Sequence, residues 1–425
     1  MSLKKDLDEL LDAEVITDEM ANRIRAYYME RKGGRSPHRL ILAFGVLGAL
    51  LVGLGVILII AHNWDKLQRP VKLLFAFLPL LIAQGIALYT LLRKSGQSAW
   101  REGSAVFLTF AIGASISLVS QIYHIMGDLS SFLLVWSLLV LPIVYILRSS
   151  MASLLYLIGI TAYACHEGYN YPSTPPTLYW LLLGGAVPFY YRLCLQAKNS
   201  NFTFFHHWFF PLSLITVLGG MAERQEELML LAYFSLFGVL YLMGKLPYFS
   251  TLLKRQNGYQ VIGVAGMMFM LLIWSFDEPW REVSRHTFYM SGEVFLPIAF
   301  VLLNMGMLYL YWPKDKKDTI DPLAYISLVF VLIFLVGTEH AVAASLLVNT
   351  LLLLVGVWVV INGSKRQALG ELNFGMLLLA ALISCRFFDS DLSFVSRGIL
   401  FVVMGVGFFM ANYWMLKKRT GHEGK

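Results

Sequence analysis

Fourteen apolar runs, separated by short polar connections, are the feature that most limits what this chain can fold into. Most of the runs are about 17–22 residues long, and a helix of that length crosses the ~30 Å hydrocarbon core of a bilayer. We therefore predict an all-α fold, a polytopic integral membrane protein of about 14 transmembrane helices. The predicted spans are 40–61, 71–92, 104–122, 131–147, 151–165, 177–193, 208–221, 228–244, 260–276, 292–312, 322–337, 340–361, 369–384 and 396–416. Two of them are short and the turn at 338–340 is very tight, so 12 or 13 spans are alternatives.

Composition excludes a water-soluble body of this size. The chain is 57% hydrophobic and 14% charged, whereas soluble domains have ~45–50% apolar and ~25% charged residues. No GxxxxGK[ST], GxGxxG or HExxH pattern occurs, so we predict neither a nucleotide-binding domain nor a cofactor or metal site. The net charge of +7 lies in loops rather than in a basic stripe, which argues against a nucleic-acid partner. The lipid bilayer is the predicted partner.

The distribution of Lys and Arg predicts the orientation. With 14 spans, 26 of the 34 Lys and Arg residues share the side of the two termini and 8 lie on the other. Cytoplasmic loops carry the excess of these residues, so both termini are predicted to be cytoplasmic. The first 38 residues are polar, and no cleavable leader is predicted. The expected location is the bacterial inner membrane, with a transmembrane domain over 39–417 and a basic tail over 418–425.

Residues 1–38 are predicted to form a short cytoplasmic, amphipathic helical hairpin. One apolar stripe consists of Leu3, Leu7, Leu10 and Leu11. Thr17 is a suitable N-cap for a second helix. Gly33 and Gly34 end that helix. Two interpretations stay open: a lid on the inner face of the membrane, or a docking module for a cytoplasmic protein.

Polar side chains with binding chemistry collect on the predicted outer side. Two groups interrupt otherwise apolar runs and are the main candidates for ligand binding: His62, Asn63, Trp64 and Asp65, and then Gln121, Tyr123, His124 and Asp128. Weaker candidates are His166, Glu167, Glu293, Glu339, His340 and Arg386. Imidazoles and carboxylates could bind a metal ion, a phosphorylated headgroup or a sugar, and the aromatic side chains could stack on a ring, although the spacing does not specify a metal site. The alternative interpretation is that these loop residues are polar only because they are exposed to water, and that the Trp and Tyr side chains belong to the interfacial aromatic belt.

Acidic and basic residues are nearly absent from the middle of the spans, where such groups usually mark proton or ion pathways. This weighs against a buried carboxylate relay. Amides do occur there, at Gln84, Asn304, Asn349 and Asn412, and they are predicted to hydrogen-bond between helices.

Three segments carry a family resemblance: the turn LDAEVIT from Leu11 to Thr17, the segment AHNWDKLQRPVKL after the first span, and SQIYHIMGD after the third. With these motifs the chain resembles the bacterial predicted membrane proteins of domain-of-unknown-function family 2157. The resemblance is clearest over residues 3–150, and the arrangement from Asn373 to Gly398 is typical of longer members. It implies a multi-pass membrane location and supplies neither an activity nor a catalytic residue.

Three functions compete. The first is a carrier or flippase-like protein that handles an envelope component, with a lipid or glycan precursor as its ligand. The second is a membrane-embedded transferase that acts on a lipid-linked substrate, with Asp65 or Asp128 as general base. The third is a sensor or scaffold that docks a partner through residues 1–38. The architecture favours the carrier, and no enzymatic activity is assigned.

Overall fold

The computed structural model describes residues 64–170, 175–222, 226–285, 294–311 and 321–389, together with 11, 13, 15, 17–24 and the isolated positions 395, 398, 402, 406 and 409. Most of the predicted hairpin, the first span, most of the last span and the basic tail lie outside the described residues. The chain divides into two compact units, Met1–Phe75 and Ala76–Lys425. Residues 18–24 are helical, which agrees with Thr17 as N-cap: the Met20 amide donates to its Oγ1 at 3.4 Å.

The described part of the chain is helical and contains no strand. Its helices are α1 Arg69–Arg93, α2 Ser98–Tyr123, α3 Leu129–Ile146, α4 Ser150–Asn170, α5 Leu178–Gln196, α6 Asn201–Leu218, α7 Glu226–Lys245, α8 Pro247–Ser250, α9 Gly258–Ile273, α10 Asp277–Arg285, α11 Phe295–Tyr311, α12 Ile326–Gly337, α13 Ala341–Lys365 and α14 Leu369–Asp389. Short 3₁₀ helices lie at Trp64–Lys66, Gly219–Met221, Lys254–Gln256 and Pro322–Ala324. Each predicted span that falls on these residues coincides with a helix, so the all-α fold is confirmed.

Eight of the described helices are long and apolar enough to cross a membrane. A ninth span results if α9 and α10, which are bent by 85° at a short break, count as one. Helices α11 and α12 are shorter and apolar, and α4, which ends with the polar residues His166, Glu167 and Asn170, is not among the eight. The protein is therefore polytopic. With the α9–α10 pair counted as one span, nine of the 14 predicted spans are accounted for, and the other five are α4, α11, α12 and the two spans outside the described residues.

Two helices lie at the centres of the packing. Helix α4 packs against α2, α3, α5 and α6, and α7 packs against α9, α11 and α12. In α7, 72% of the membrane-length segment is buried by protein, against 17% in α1. Helix α1 thus presents most of its apolar side chains outward, where lipid would solvate them, whereas α7 is a core element.

Glycines let α7 and α9 approach to backbone contact. A Cβ atom on Gly263 would lie 2.5 Å from the Tyr241 amide nitrogen, and one on Gly244 would lie 2.6 Å from the Gln260 amide nitrogen. Small residues at helix interfaces allow this close approach within membranes. The contact fixes Tyr241 and Gln260 beside one another, and both line the cavity described below.

The predicted interhelical role of the amides is confirmed for two of them. The Asn304 side chain on α11 donates to the Ser235 carbonyl on α7 at 3.4 Å. The Asn349 side chain on α13 donates to the Ser275 carbonyl at 2.8 Å.

A buried carboxylate fixes the start of α4. Glu102, on α2, accepts hydrogen bonds from the Ser149 hydroxyl, the Ser150 amide at 3.0 Å and the Met151 amide at 2.9 Å. These amides belong to the first turn of α4, where no carbonyl within the helix can accept from them. The carboxylate thus acts as an N-cap supplied by another helix, favoured by the positive end of the helix dipole.

Replacing Glu102 with alanine should lower the free energy of unfolding by about 2–4 kcal/mol, because it leaves the buried Ser150 amide, the partly buried Met151 amide and the Ser149 hydroxyl without their acceptor. Thermal unfolding in detergent measures the effect. The matched control is Glu339→Ala, which removes an exposed carboxylate and should change little. Equal melting temperatures for the two variants would show that this carboxylate does not hold α4.

Candidate functional site

The first predicted outer group is only partly within the described residues. His62 and Asn63 lie outside them, as does Glu293. Trp64 and Asp65 form the 3₁₀ helix Trp64–Lys66, and Asp65 is exposed. The Lys72 ammonium lies 5.5 Å from the Trp64 ring centroid, a cation–π contact.

The second outer group forms the connection between α2 and α3. Gln121 and Tyr123 end α2 and are exposed, and His124 caps it in the left-handed conformation with φ 52°. Asp128 is the N-cap of α3, because its carboxylate accepts from the Ser131 amide and the Ser130 hydroxyl. The local role of this group is to shape a turn between two helices.

Hydrogen bonds from Ser130 and Ser131 lower the pKa of the Asp128 carboxyl to about 2. A general base works best with a pKa near the operating pH, so a carboxylate this acidic is poorly suited to that role at neutral pH. This counts against one of the two bases considered for a transferase.

The weaker candidates lie on separate elements. His166 and Glu167 belong to α4, which continues to Asn170 rather than ending near 165. Glu339 and His340 are exposed in the turn between α12 and α13, and Arg386 is near the end of α14. In the part of the chain that the structure describes, no group of three or more His, Cys, Asp or Glu side chains is arranged to hold a metal ion.

Among the described residues, a concave site lies elsewhere, in a cavity of about 960 Å³. It is formed by the ends of α7 and α13, the beginnings of α9 and α14, and the segment before α12. Its lining residues are Tyr241, Lys245, Lys254, Gln260, Val261, Val264, Ala265, Asp321, Leu323, Tyr325, Trp358, Val359, Asn362, Lys365, Arg366, Gly370, Glu371 and Phe374. We call it the charged cavity.

One wall of the charged cavity contains an ion pair that further hydrogen bonds hold in place. The Lys245 ammonium lies 2.8 Å from Asp321 Oδ2, and the Tyr241 hydroxyl donates to the same oxygen. The other carboxylate oxygen accepts from the Leu323 amide at 3.2 Å and so caps the 3₁₀ helix Pro322–Ala324. The Asp321 side chain is 12% exposed. These contacts join the end of α7 to the start of the α12 segment.

A second ion pair lies nearer to solvent. The Lys254 ammonium is 2.7 Å from Glu371 Oε1, and their side chains are 73% and 29% exposed. It links the 3₁₀ helix before α9 to the first turn of α14. Pairs this exposed contribute little to stability, so this one can open without a large cost.

Two further cations complete the lining. Lys365 and Arg366 lie at the end of α13, are exposed, and form no ion pair with any residue that the structure describes. The lining therefore has four cations and two carboxylates, an excess of two positive charges. Val264, Trp358 and Phe374 supply an apolar wall beside them. Such a site suits a molecule with an anionic group and an apolar body.

This site was not predicted from the sequence, in which Lys245, Lys254, Lys365 and Arg366 were interpreted only as charges that set the orientation. The feature of the sequence that could have indicated this site is a pair of carboxylates, Asp321 and Glu371. Each lies near the start of a helix, next to a connection that contains Lys or Arg.

The helices and their hydropathy define a multi-pass, all-α membrane protein. Residues 8–153 match the family model described as Predicted membrane protein (DUF2157). The resemblance drawn from the N-terminal motifs is therefore confirmed over this segment, and the charged cavity lies outside it. No curated protein and no solved structure gives a significant match.

Proposed function

We propose that this protein is a carrier, or flippase-like protein, for an amphipathic anion: an envelope lipid or lipid-linked precursor with a phosphate-bearing head. The observation that supports this is the charged cavity, where two cations without described counter-ions lie beside an apolar wall. Arg and Lys bind phosphate oxygens through charge-assisted hydrogen bonds, and the apolar residues receive the chain.

The orientation predicted from the sequence supports loading from the cytoplasmic leaflet of a bacterial inner membrane. The polar connections that line the charged cavity follow α7, precede α12 and join α13 to α14. The positive-inside distribution assigns all three to the cytoplasmic side. The helix ends that are predicted to lie on the cytoplasmic side thus line the same cavity.

A carrier accounts for the charged cavity better than a transferase. Both carboxylates in its lining, Asp321 and Glu371, are held in ion pairs with lysines. Neither is free to act as a general base while its pair is intact. A scaffold function would rest on residues 1–38, most of which lie outside the described residues.

The double variant Lys365→Gln/Arg366→Gln tests the proposal. We expect it to bind phosphatidylglycerol at least about tenfold more weakly than wild type, since each charge-assisted contact contributes ~1.5–3 kcal/mol. Native mass spectrometry of protein in phosphatidylethanolamine nanodiscs with a minor fraction of phosphatidylglycerol measures the bound lipid.

The control for charge is Arg93→Gln/Arg148→Gln, which removes two exposed cations from the same predicted side but outside the charged cavity. It should bind phosphatidylglycerol as wild type does. Equal losses of phosphatidylglycerol binding in the two double variants would show that the effect comes from net charge and not from the charged cavity. Unchanged binding in both variants would refute the proposed site.

A further inference from the structure

The charged cavity changes from apolar to cationic along one face of α13. Trp358, Val359, Asn362, Lys365 and Arg366 all line it, and they follow one another at helical spacing. Residues three and four apart share a face of a helix, so this face presents apolar side chains, then an amide, then two cations. At 1.5 Å per residue, Arg366 lies about 12 Å from Trp358 along the helix axis.

Helices α9 and α14 show the same order from their first turns inward. Gln260 is in the first turn of α9 and Val264 one turn later, whereas Glu371 is in the first turn of α14 and Phe374 in the next. The ion pair between Glu371 and Lys254, which precedes α9, places the two helix starts next to each other. The charged cavity therefore has a polar end and an apolar end.

Two side-chain amides at the polar end have donors to spare. Gln260 and Asn362 are half-buried and line the charged cavity. Among the described residues, the Gln260 side chain makes one hydrogen bond, in which its Oε1 accepts from Asn257 Nδ2 at 3.4 Å, and the Asn362 side chain makes none. A carboxamide nitrogen is a donor of two hydrogen bonds. The polar end thus combines neutral donors with cations.

The charge of the lining selects between two kinds of phosphate head. Its four cations and two carboxylates leave an excess of two positive charges. A phosphodiester carries one negative charge, whereas a phosphate with a single ester bond carries about −1.5 to −2 at neutral pH and has three free acceptor oxygens. The single-ester phosphate balances the excess, and the diester leaves part of it without a counter-charge.

We infer that the charged cavity recognises a terminal phosphate, a phosphomonoester head, in preference to a phosphodiester. This inference rests on the proposed carrier function and names the class of its ligand. Lys365 and Arg366 bind the phosphate oxygens through charge-assisted hydrogen bonds. Lys254 exchanges Glu371 for the third oxygen, because its ion pair is exposed and contributes little to stability.

Phosphatidic acid and phosphatidylglycerol with the same acyl chains test the preference, since only the first is a phosphomonoester. In phosphatidylethanolamine nanodiscs with equal minor fractions of the two lipids, native mass spectrometry should show at least about fivefold more phosphatidic acid bound to the wild-type protein. A cation that gains a second phosphate charge to bind accounts for this factor.

Glu371→Gln and Lys254→Gln break the same ion pair and should act in opposite directions. Glu371→Gln frees Lys254 and should raise phosphatidic acid binding by about threefold or more, and Lys254→Gln should lower it by a similar factor. If the pair were only structural, both variants would change binding in the same direction. Melting temperatures near the wild-type value are expected for both, because the pair is exposed.

Arg255→Gln is the control for charge. Arg255 is exposed in the same 3₁₀ helix as Lys254 and does not line the charged cavity, so this variant should bind phosphatidic acid as wild type does. Equal binding of the two lipids, lost in Lys365→Gln/Arg366→Gln, would overturn the preference and leave the carrier intact. Binding of both lipids that none of the cavity variants changes would overturn the carrier as well.

Discussion

Alanine at Gly263 is expected to destabilise the protein by about 3 kcal/mol or more, or to prevent folding. The added methyl would lie 2.5 Å from the Tyr241 amide nitrogen and 2.8 Å from the Phe237 carbonyl oxygen. Both are backbone atoms of α7, which is buried among other helices and cannot shift freely. Overpacking against side chains alone costs ~1–3 kcal/mol. A clash with backbone atoms costs more, because they cannot move away as a flexible side chain can.

Gly306→Ala is the matched control for that substitution. A Cβ atom there would meet nothing within 4 Å, although Gly306 also lies in an apolar helix, α11. Helix propensity alone would make this variant neutral or slightly more stable. Melting temperatures in detergent compare the two variants, and similar values would contradict the close α7–α9 contact.

Asp321→Ala is expected to cost up to about 3–5 kcal/mol, the range when one partner of a buried ion pair is removed, because this pair is only partly exposed. The change leaves the Lys245 ammonium, whose side chain is 26% exposed, without its counter-ion. It also removes the acceptor of the Tyr241 hydroxyl and the cap of the 3₁₀ helix before α12.

The same measurement on Glu371→Ala should give a loss of only ~0–1 kcal/mol, because the pair of Glu371 with Lys254 is far more exposed. The double variant Lys245→Met/Asp321→Leu should be more stable than Asp321→Ala, since it leaves no unpaired charge. If Asp321→Ala and Glu371→Ala were equally stable, the Lys245–Asp321 pair would not be what stabilises the contact between the end of α7 and the segment before α12.

The helices could be predicted from the sequence because a span must be apolar over its whole length. The tight turn at 338–340 was confirmed in this way, with α12 ending at Gly337 and α13 beginning at Ala341. Helix α4 runs on to Asn170 because His166 and Glu167 do not interrupt helical hydrogen bonding, although they end the apolar run. The 85° bend after Ile273 was missed, because the run 260–276 contains no Gly or Pro at the break.

The charged cavity could not be predicted from local sequence. Tyr241 and Phe374 are 133 positions apart, and only the packing of α7, α9, α13 and α14 brings them to one cavity. The outer candidates were chosen because they interrupt apolar runs. For Gln121, Tyr123, His124 and Asp128 the structure gives a local account, the end of one helix and the cap of the next. Their role in binding stays a prediction.

Photo-crosslinking with a diazirine-bearing phosphatidylglycerol in nanodiscs tests most directly whether the charged cavity holds an anionic amphipath. We expect labelled peptides that contain Val264, Trp358 or Phe374, and loss of that label in Lys365→Gln/Arg366→Gln. A phosphatidylcholine probe with the same diazirine should not label them. Label confined to outward-facing residues such as Leu81 and Leu302, each 62% exposed, would contradict the account.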